Sequence, residues 1–109
     1  MANVYKNAFY APVSIGLPET IFTCPTEARA IFQTVQITNT SGSKTVKVYI
    51  YDSSATTQYL IAHADISGPT ICNIAKGPIV LEESDVLKIE SSVTSGISAI
   101  ISILEINRE

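Results

Sequence analysis

The stretch that most restricts the fold is Gly96 to Ile106, GISAIISILEI, eleven residues in which Glu105 is the one charge. Side chains alternate across a β-strand. Ile97, Ala99, Ile101 and Ile103 then share a wholly apolar face. Ser98, Ile100, Ser102, Leu104 and Ile106 share the other, which is half apolar. A strand of this kind needs cover on both faces, from a second sheet, another subunit, or both.

The rest of the chain follows the same grammar. Residues 30–38 and 44–51 read as strands, with Ile31, Val35, Ile37, Val46, Val48 and Ile50 facing inward and Lys47, Tyr49 and Tyr51 outward. The turn formers of 39–43 make these two runs an expected hairpin. Further short strands fall at 21–24, 57–66, 70–75, 79–81 and 86–91. Each is bounded by Gly, Pro, Ser, Asn or Asp. In the last of them Leu87 and Ile89 face inward. No segment carries a convincing 3.6-residue apolar period, and the β-branched content of 27–36 argues against a helix there. About eight short strands with frequent turn signals predict an all-β antiparallel sandwich, either a jelly roll or an immunoglobulin-like Greek key.

Residues 1–20 are set apart by Pro12, Gly16 and Pro18. Proline lacks a backbone donor, so this is no central strand. We expect an extended N-terminal arm over 1–20, with one or two short edge strands, and a sandwich domain over 21–109. The arm either folds over its own domain or lies on a neighbouring subunit, anchored by Tyr5, Phe9 and Tyr10.

Composition restricts function by exclusion. Charged residues are 16% of the 109, against a typical ~25%. Ser and Thr take their place, 23 in all. So few charges favour an assembly over a lone soluble domain. The net charge of −3 offers no basic footprint for nucleic acid. The first residues lack the apolar core of a signal peptide, and no apolar run approaches the ~20 residues of a membrane helix. Without a secretory signal, Cys24 and Cys72 read by default as free thiols, a disulfide being the alternative.

Candidate chemistry is sparse. His63 is the one histidine, without a ligand cluster or nucleophile motif around it. Glu82, Glu83 and Asp85 lack the spacing of a calcium loop and read as a solvated turn. No catalytic residue, cofactor or metal ligand is assigned. The residues that could work are interfacial: Tyr5, Phe9 and Tyr10 on the arm, Tyr49 and Tyr51 on an outer strand face, and Ile100, Leu104 and Ile106 on the closing strand's second face. Tyr49, Tyr51 and Tyr59 could alternatively stack on sugar, since jelly rolls host lectins.

Three elements carry a family resemblance. They are Thr23-Cys24-Pro25 before a long strand ending Thr38-Asn39-Thr40, the stretch from Pro78 to Ile89 (PIVLEESDVLKI), and the closing strand ending Leu104-Glu105-Ile106. Together they resemble the small all-β virion proteins of tailed bacteriophages over roughly residues 20–106. That family commonly has Gly before the Asp of the second element, where this chain has Ser84. The resemblance implies an oligomeric, non-catalytic structural protein of a virion, assembled in the host cytoplasm. Capsid decoration or cement is the leading role, with neck, tail, baseplate or fibre as the alternative. The implied partners are other copies of the chain and virion proteins such as the major capsid protein, with no nucleic acid or membrane. A glycan partner is the lesser alternative.

Overall fold

The computed structural model describes residues 2–74 and 78–107. Nine strands run in chain order: β1 Ala2–Tyr10, β2 Glu19–Thr23, β3 Ala28–Asn39, β4 Ser43–Asp52, β5 Thr57–Ser67, β6 Thr70–Asn73, β7 Ile79–Leu81, β8 Val86–Ser91 and β9 Ile97–Asn107. The described residues contain no helix.

The pairing pattern defines the topology. β1 pairs with β9, β2 with β8, β3 with both β6 and β7, and β4 with β5, all antiparallel. The first half of the chain is thus zipped against the second half in reverse order. Two further ladders, β3 with β9 and β4 with β8, wind this long ribbon into two sheets. The first sheet has the order β1-β9-β3-β6, with β7 also on β3, and the second has the order β2-β8-β4-β5. This is the double-sheet jelly roll, with its sixth position split into β6 and β7.

The core lies between the sheets. Ile97, Ala99, Ile101 and Ile103 of β9 are buried with Phe32, Val35 and Ile37 of β3, Val46 and Val48 of β4, and Leu87 and Ile89 of β8. The inner faces expected from alternation are therefore the inner faces found, with two corrections. Residues 30–38 and 44–51 do not form a hairpin. β3 and β4 belong to different sheets, and the loop between them crosses the sandwich. The cause is that both edges of each strand are already occupied, β3 by β9 and by β6 and β7, β4 by β8 and β5. Ile31 also faces outward rather than inward. A bulge between Phe32 and Val35 adds a residue to β3 and reverses the side-chain alternation across it. Ala28, Ala30 and Phe32 take the inner face before the bulge, Val35 and Ile37 after it.

Each end of the sandwich is tied by one buried polar side chain. At one end Asn39 donates through Nδ2 to the carbonyls of Gly42 and Gly68, both at 2.9 Å, and accepts from Lys44 Nζ at 2.7 Å. The β3–β4 and β5–β6 loops thereby share one anchor. Gly96 abuts this cluster at φ 76°, where an added Cβ would lie 2.8 Å from Thr40 Oγ1. Both the left-handed backbone and the close approach require glycine. At the other end Asp85 accepts from the amides of Glu82 and Ser53, at 3.0 and 3.1 Å. Asp85 is buried, which corrects its expected place in a solvated turn. Its carboxylate supplies acceptors that the turn's amides would otherwise lack.

Ser84, in that turn, sits at φ 68°. A left-handed conformation costs a non-glycine residue about 1–2 kcal/mol. The glycine of the resembled family fits this position without that penalty. Ser84→Gly should therefore stabilise the domain by about 0.5–1 kcal/mol, the extra flexibility of the unfolded chain offsetting part of the gain. Urea unfolding should show a higher midpoint at unchanged slope.

Candidate interaction face

Outer-face residues of the first sheet line up in rows across the strands. Tyr5 opposes Leu104, Leu104 opposes Ile31, and Ile31 opposes Val80, so four apolar side chains cross β1, β9, β3 and β7 in one row. A parallel row runs Phe9, Ile100, Gln36, Asn73. A third runs Asn3, Ile106, Arg29. Directly opposed residues on one face stand about 4.5–5.5 Å apart at Cβ, so each row is in contact. Tyr5 is 84% exposed and Phe9 70%, and Val80 and Ile71 also project into solvent. Ile100, Leu104 and Ile106 are half-buried, shielded by their neighbours within the rows.

The stretch expected as an arm enters this picture as β1. Residues 2–10 do not lie over the outer face but beside β9, as an edge strand of the same sheet. The face therefore stays open, and β1 widens it with Tyr5 and Phe9. Tyr10, expected among the surface aromatics, points inward and is 3% exposed. Alternation along β1 sends Tyr5 and Phe9 one way and Tyr10 the other. Lys6 also points inward and meets the buried Glu105 carboxylate, Nζ to Oε1 at 2.7 Å. That contact is ionic, because Oε1 accepts no directed hydrogen bond from a described group.

The outer face of the second sheet differs in chemistry. Tyr49 and Tyr51 are outward as expected, with the Tyr49 hydroxyl and the Tyr51 ring face each engaged by a neighbour. Tyr49 donates to Glu90 Oε1 at 3.0 Å, and Lys47 lies 4.0 Å from the other Glu90 oxygen. Lys88 Nζ sits 5.5 Å from the Tyr51 ring centre. Burial, then the Glu90 hydrogen bond, raises the Tyr49 pKa. On this face Glu90 ties Tyr49 to Lys47, and the exposed apolar side chain is Leu60, opposite Tyr49 on the edge strand. On the first sheet's outer face the apolar side chains form a row across four strands.

A shallow groove of about 740 Å³ crosses the first sheet's outer face beside the β3 bulge. Tyr5, Ile31, Leu104 and Pro78 supply its apolar lining. Asn7, Gln33, Thr34 and Ser102 supply neutral polar groups, and Lys6 is the one ion in the lining. Ile31 and Val80 were not anticipated on this face. The bulge that turned Ile31 outward has no signature in the residue types. The β1–β2 loop was also underestimated. Val13, Ile15 and Leu17 are 79%, 66% and 60% exposed. Their alternation between Pro12 and Pro18 was the available signal.

Among the described residues, no three His, Cys, Asp or Glu side chains gather as a metal site. His63 lies on the exposed edge strand β5, its Nε2 3.7 Å from Asp65 Oδ1. Cys24 and Cys72 are free. Cys24 is buried, 3.6 Å from the carbonyls of Ala28 and Leu81, and burial followed by nearby Glu105 and Asp85 raises its pKa.

Two inward residues of β1 yield tests. The Tyr10 hydroxyl is buried without a hydrogen-bond partner among the described residues, and burial, then Glu19 and Glu90, pushes its pKa well above the ordinary value. Below about pH 10 folded and unfolded chains both keep this proton. Above it the unfolded chain loses the proton while the folded chain retains it, so stability falls as pH rises. Tyr10→Phe should raise neutral-pH stability by about 1 kcal/mol and reduce the alkaline loss, both readable from denaturant melts across pH 8–11. Lys6→Met should cost about 2 kcal/mol, less than the ~3–5 of a fully buried pair because Lys6 is part-exposed. Adding Glu105→Leu should recover most of that loss in the same melts.

No protein-family model and no curated protein matches the chain. Among solved structures, a chain of the structure of infectious bursal disease virus, Gt strain, is similar with a TM-score of 0.47 at 16% identity. The similarity covers 98% of this chain and 31% of that one, so the chain spans about a third of its length.

Proposed function

We propose that the chain is a structural protein of a tailed-phage virion, most simply a capsid decoration or cement protein that acts through oligomeric contacts and catalyses nothing. The observation that carries this reading is the open outer face of the first sheet, where Tyr5, Leu104, Ile31 and Val80 form an apolar row that no other element among the described residues covers. Such faces mark protein contacts. The family resemblance supplies the setting, with further copies and the major capsid protein as partners. Neck, tail, baseplate or fibre positions use the same chemistry and are the alternative placement. Carbohydrate binding at Tyr49, Tyr51 and Tyr59 has less support, because the Tyr49 hydroxyl is bound to Glu90 and Lys88 sits over the Tyr51 ring where a sugar would stack.

The mechanism is passive. A rigid sandwich holds an apolar face in fixed shape, so little entropy is lost on docking. Weak contacts repeated over many copies then act together. Ile100→Asp and Leu104→Asp should each weaken self-association or particle binding by more than about tenfold, with unfolding midpoints shifted far less. Sedimentation velocity, particle pull-down and thermal melts check this. Equal loss of folding and association would assign the face to the domain's own core and remove the reading.

A further inference from the structure

We infer that the β1–β2 loop of one copy seats in the outer-face groove of another, so that Val13, Ile15 and Leu17 are the knob and the groove beside the β3 bulge is the hole. This deepens the assembly reading above and rests on it.

The knob is built to be presented. The loop follows Pro12, which is buried, and its three aliphatic side chains all stand mostly in solvent. Glu19 accepts from the amides of Val13 and Ser14 at 3.1 and 3.0 Å, and Gly16 donates to the Ser91 carbonyl at 2.9 Å. The loop is therefore braced from both sides while its apolar tips point away from the chain. An exposed aliphatic cluster on a braced loop costs little ordering entropy when it docks.

Charge and hydrogen bonding match the two surfaces. No charged residue lies between Lys6 and Glu19, and the Glu19 carboxylate beside the loop already accepts from the Val13 and Ser14 amides, so docking the aliphatic tips leaves no ion without a partner. In the groove the one ion, Lys6, already has the Glu105 carboxylate. Burying the groove therefore strands no charge, the condition that most often defeats an interface. The apolar floor of Tyr5, Ile31 and Leu104 suits aliphatic tips. The loop is not part of a ladder, and the carbonyls of residues 13–16 accept no backbone bond among the described residues. Asn7 and Gln33 in the groove can donate to such carbonyls, and a groove of about 740 Å³ has room for the loop's tip. A charged or strongly basic partner would find no complement here.

The test is a complementation of two variants of the full chain, followed by sedimentation velocity at about 100 µM. Ile15→Asp spoils the knob and leaves the groove. Tyr5→Asp spoils the groove and leaves the knob. Both sites are exposed, and circular dichroism confirms folding. Gln33→Asp replaces Tyr5→Asp if the latter misfolds. Each variant alone should lose self-association by more than about tenfold. An equimolar mixture should recover a one-to-one complex, joining the intact knob of one variant to the intact groove of the other. If Ile15→Asp assembles like the parent, or the mixture stays dissociated, the knob-and-hole inference is overturned while the open-face reading stands. If the parent chain itself is monomeric at this concentration, the knob-and-hole inference is overturned, and the open-face reading falls with it if particle pull-down is also negative.

Discussion

Everything in this fold depends on β9 having a hydrogen-bonded neighbour on each edge. β1 and β3 both run antiparallel to it, and its inner face closes on β8 and β4 across the core. Backbone groups in the middle of a sandwich cannot be left unpaired, because burial without a partner costs more than the bond contributes. Two ladders and one packed face therefore hold the same eleven residues. The other strands are arranged by consequence. β3 is drawn away from β4 because β9 claims its edge, and the sandwich acquires its crossing loops at Asn39 and near Asp85.

The same arrangement explains why apolar side chains line up across the first sheet's outer face. A strand central to its sheet has neighbours on both sides, so its outward side chains are partly shielded even in solvent. Ile100, Leu104 and Ile106 are half-buried in this way, by Tyr5, Phe9, Ile31 and Arg29 beside them. On the second sheet the equivalent shielding is done by ions and hydroxyls, with Glu90 serving both Tyr49 and Lys47. The continuous apolar row across four strands, against the exposed Leu60 and Ile61 on the second sheet's edge strand, is the basis for assigning docking to the first sheet.

Much of this was legible in the residues because period-two alternation is a local signal. The inner faces of β4, β8 and β9 follow from Val46, Val48, Leu87, Ile89, Ile101 and Ile103 without reference to any neighbour. What was not legible required knowing who pairs with whom. The 30–51 region reads locally as a hairpin, and only competition from β9 and β8 for the same edges separates its strands. Ile31 faces out because one residue is inserted at the bulge, and Gln33 and Thr34 carry no mark of it. Tyr5, Phe9 and Tyr10 read alike as aromatics of an irregular stretch broken by Pro12 and Pro18, and only the β1–β9 ladder separates the outward Tyr5 and Phe9 from the inward Tyr10. Asp85 lay in an acidic run whose composition suggests solvent, while its partners, the amides of Ser53 and Glu82, are backbone groups that composition does not show.

The pairing of Ala2 with Asn107 bears on how the molecule comes into being. During synthesis β1 emerges before the other eight strands of this fold, and its ladder partner β9 emerges after them. The first sheet lacks its centre until residues 97–107 have appeared, and the second sheet then lacks the surface it packs against. Contacts this distant in sequence make folding slow relative to helical domains of similar size. They also make it all-or-none, since no early fragment contains a closed core. A chain with this topology waits for its last strand and then folds as one piece.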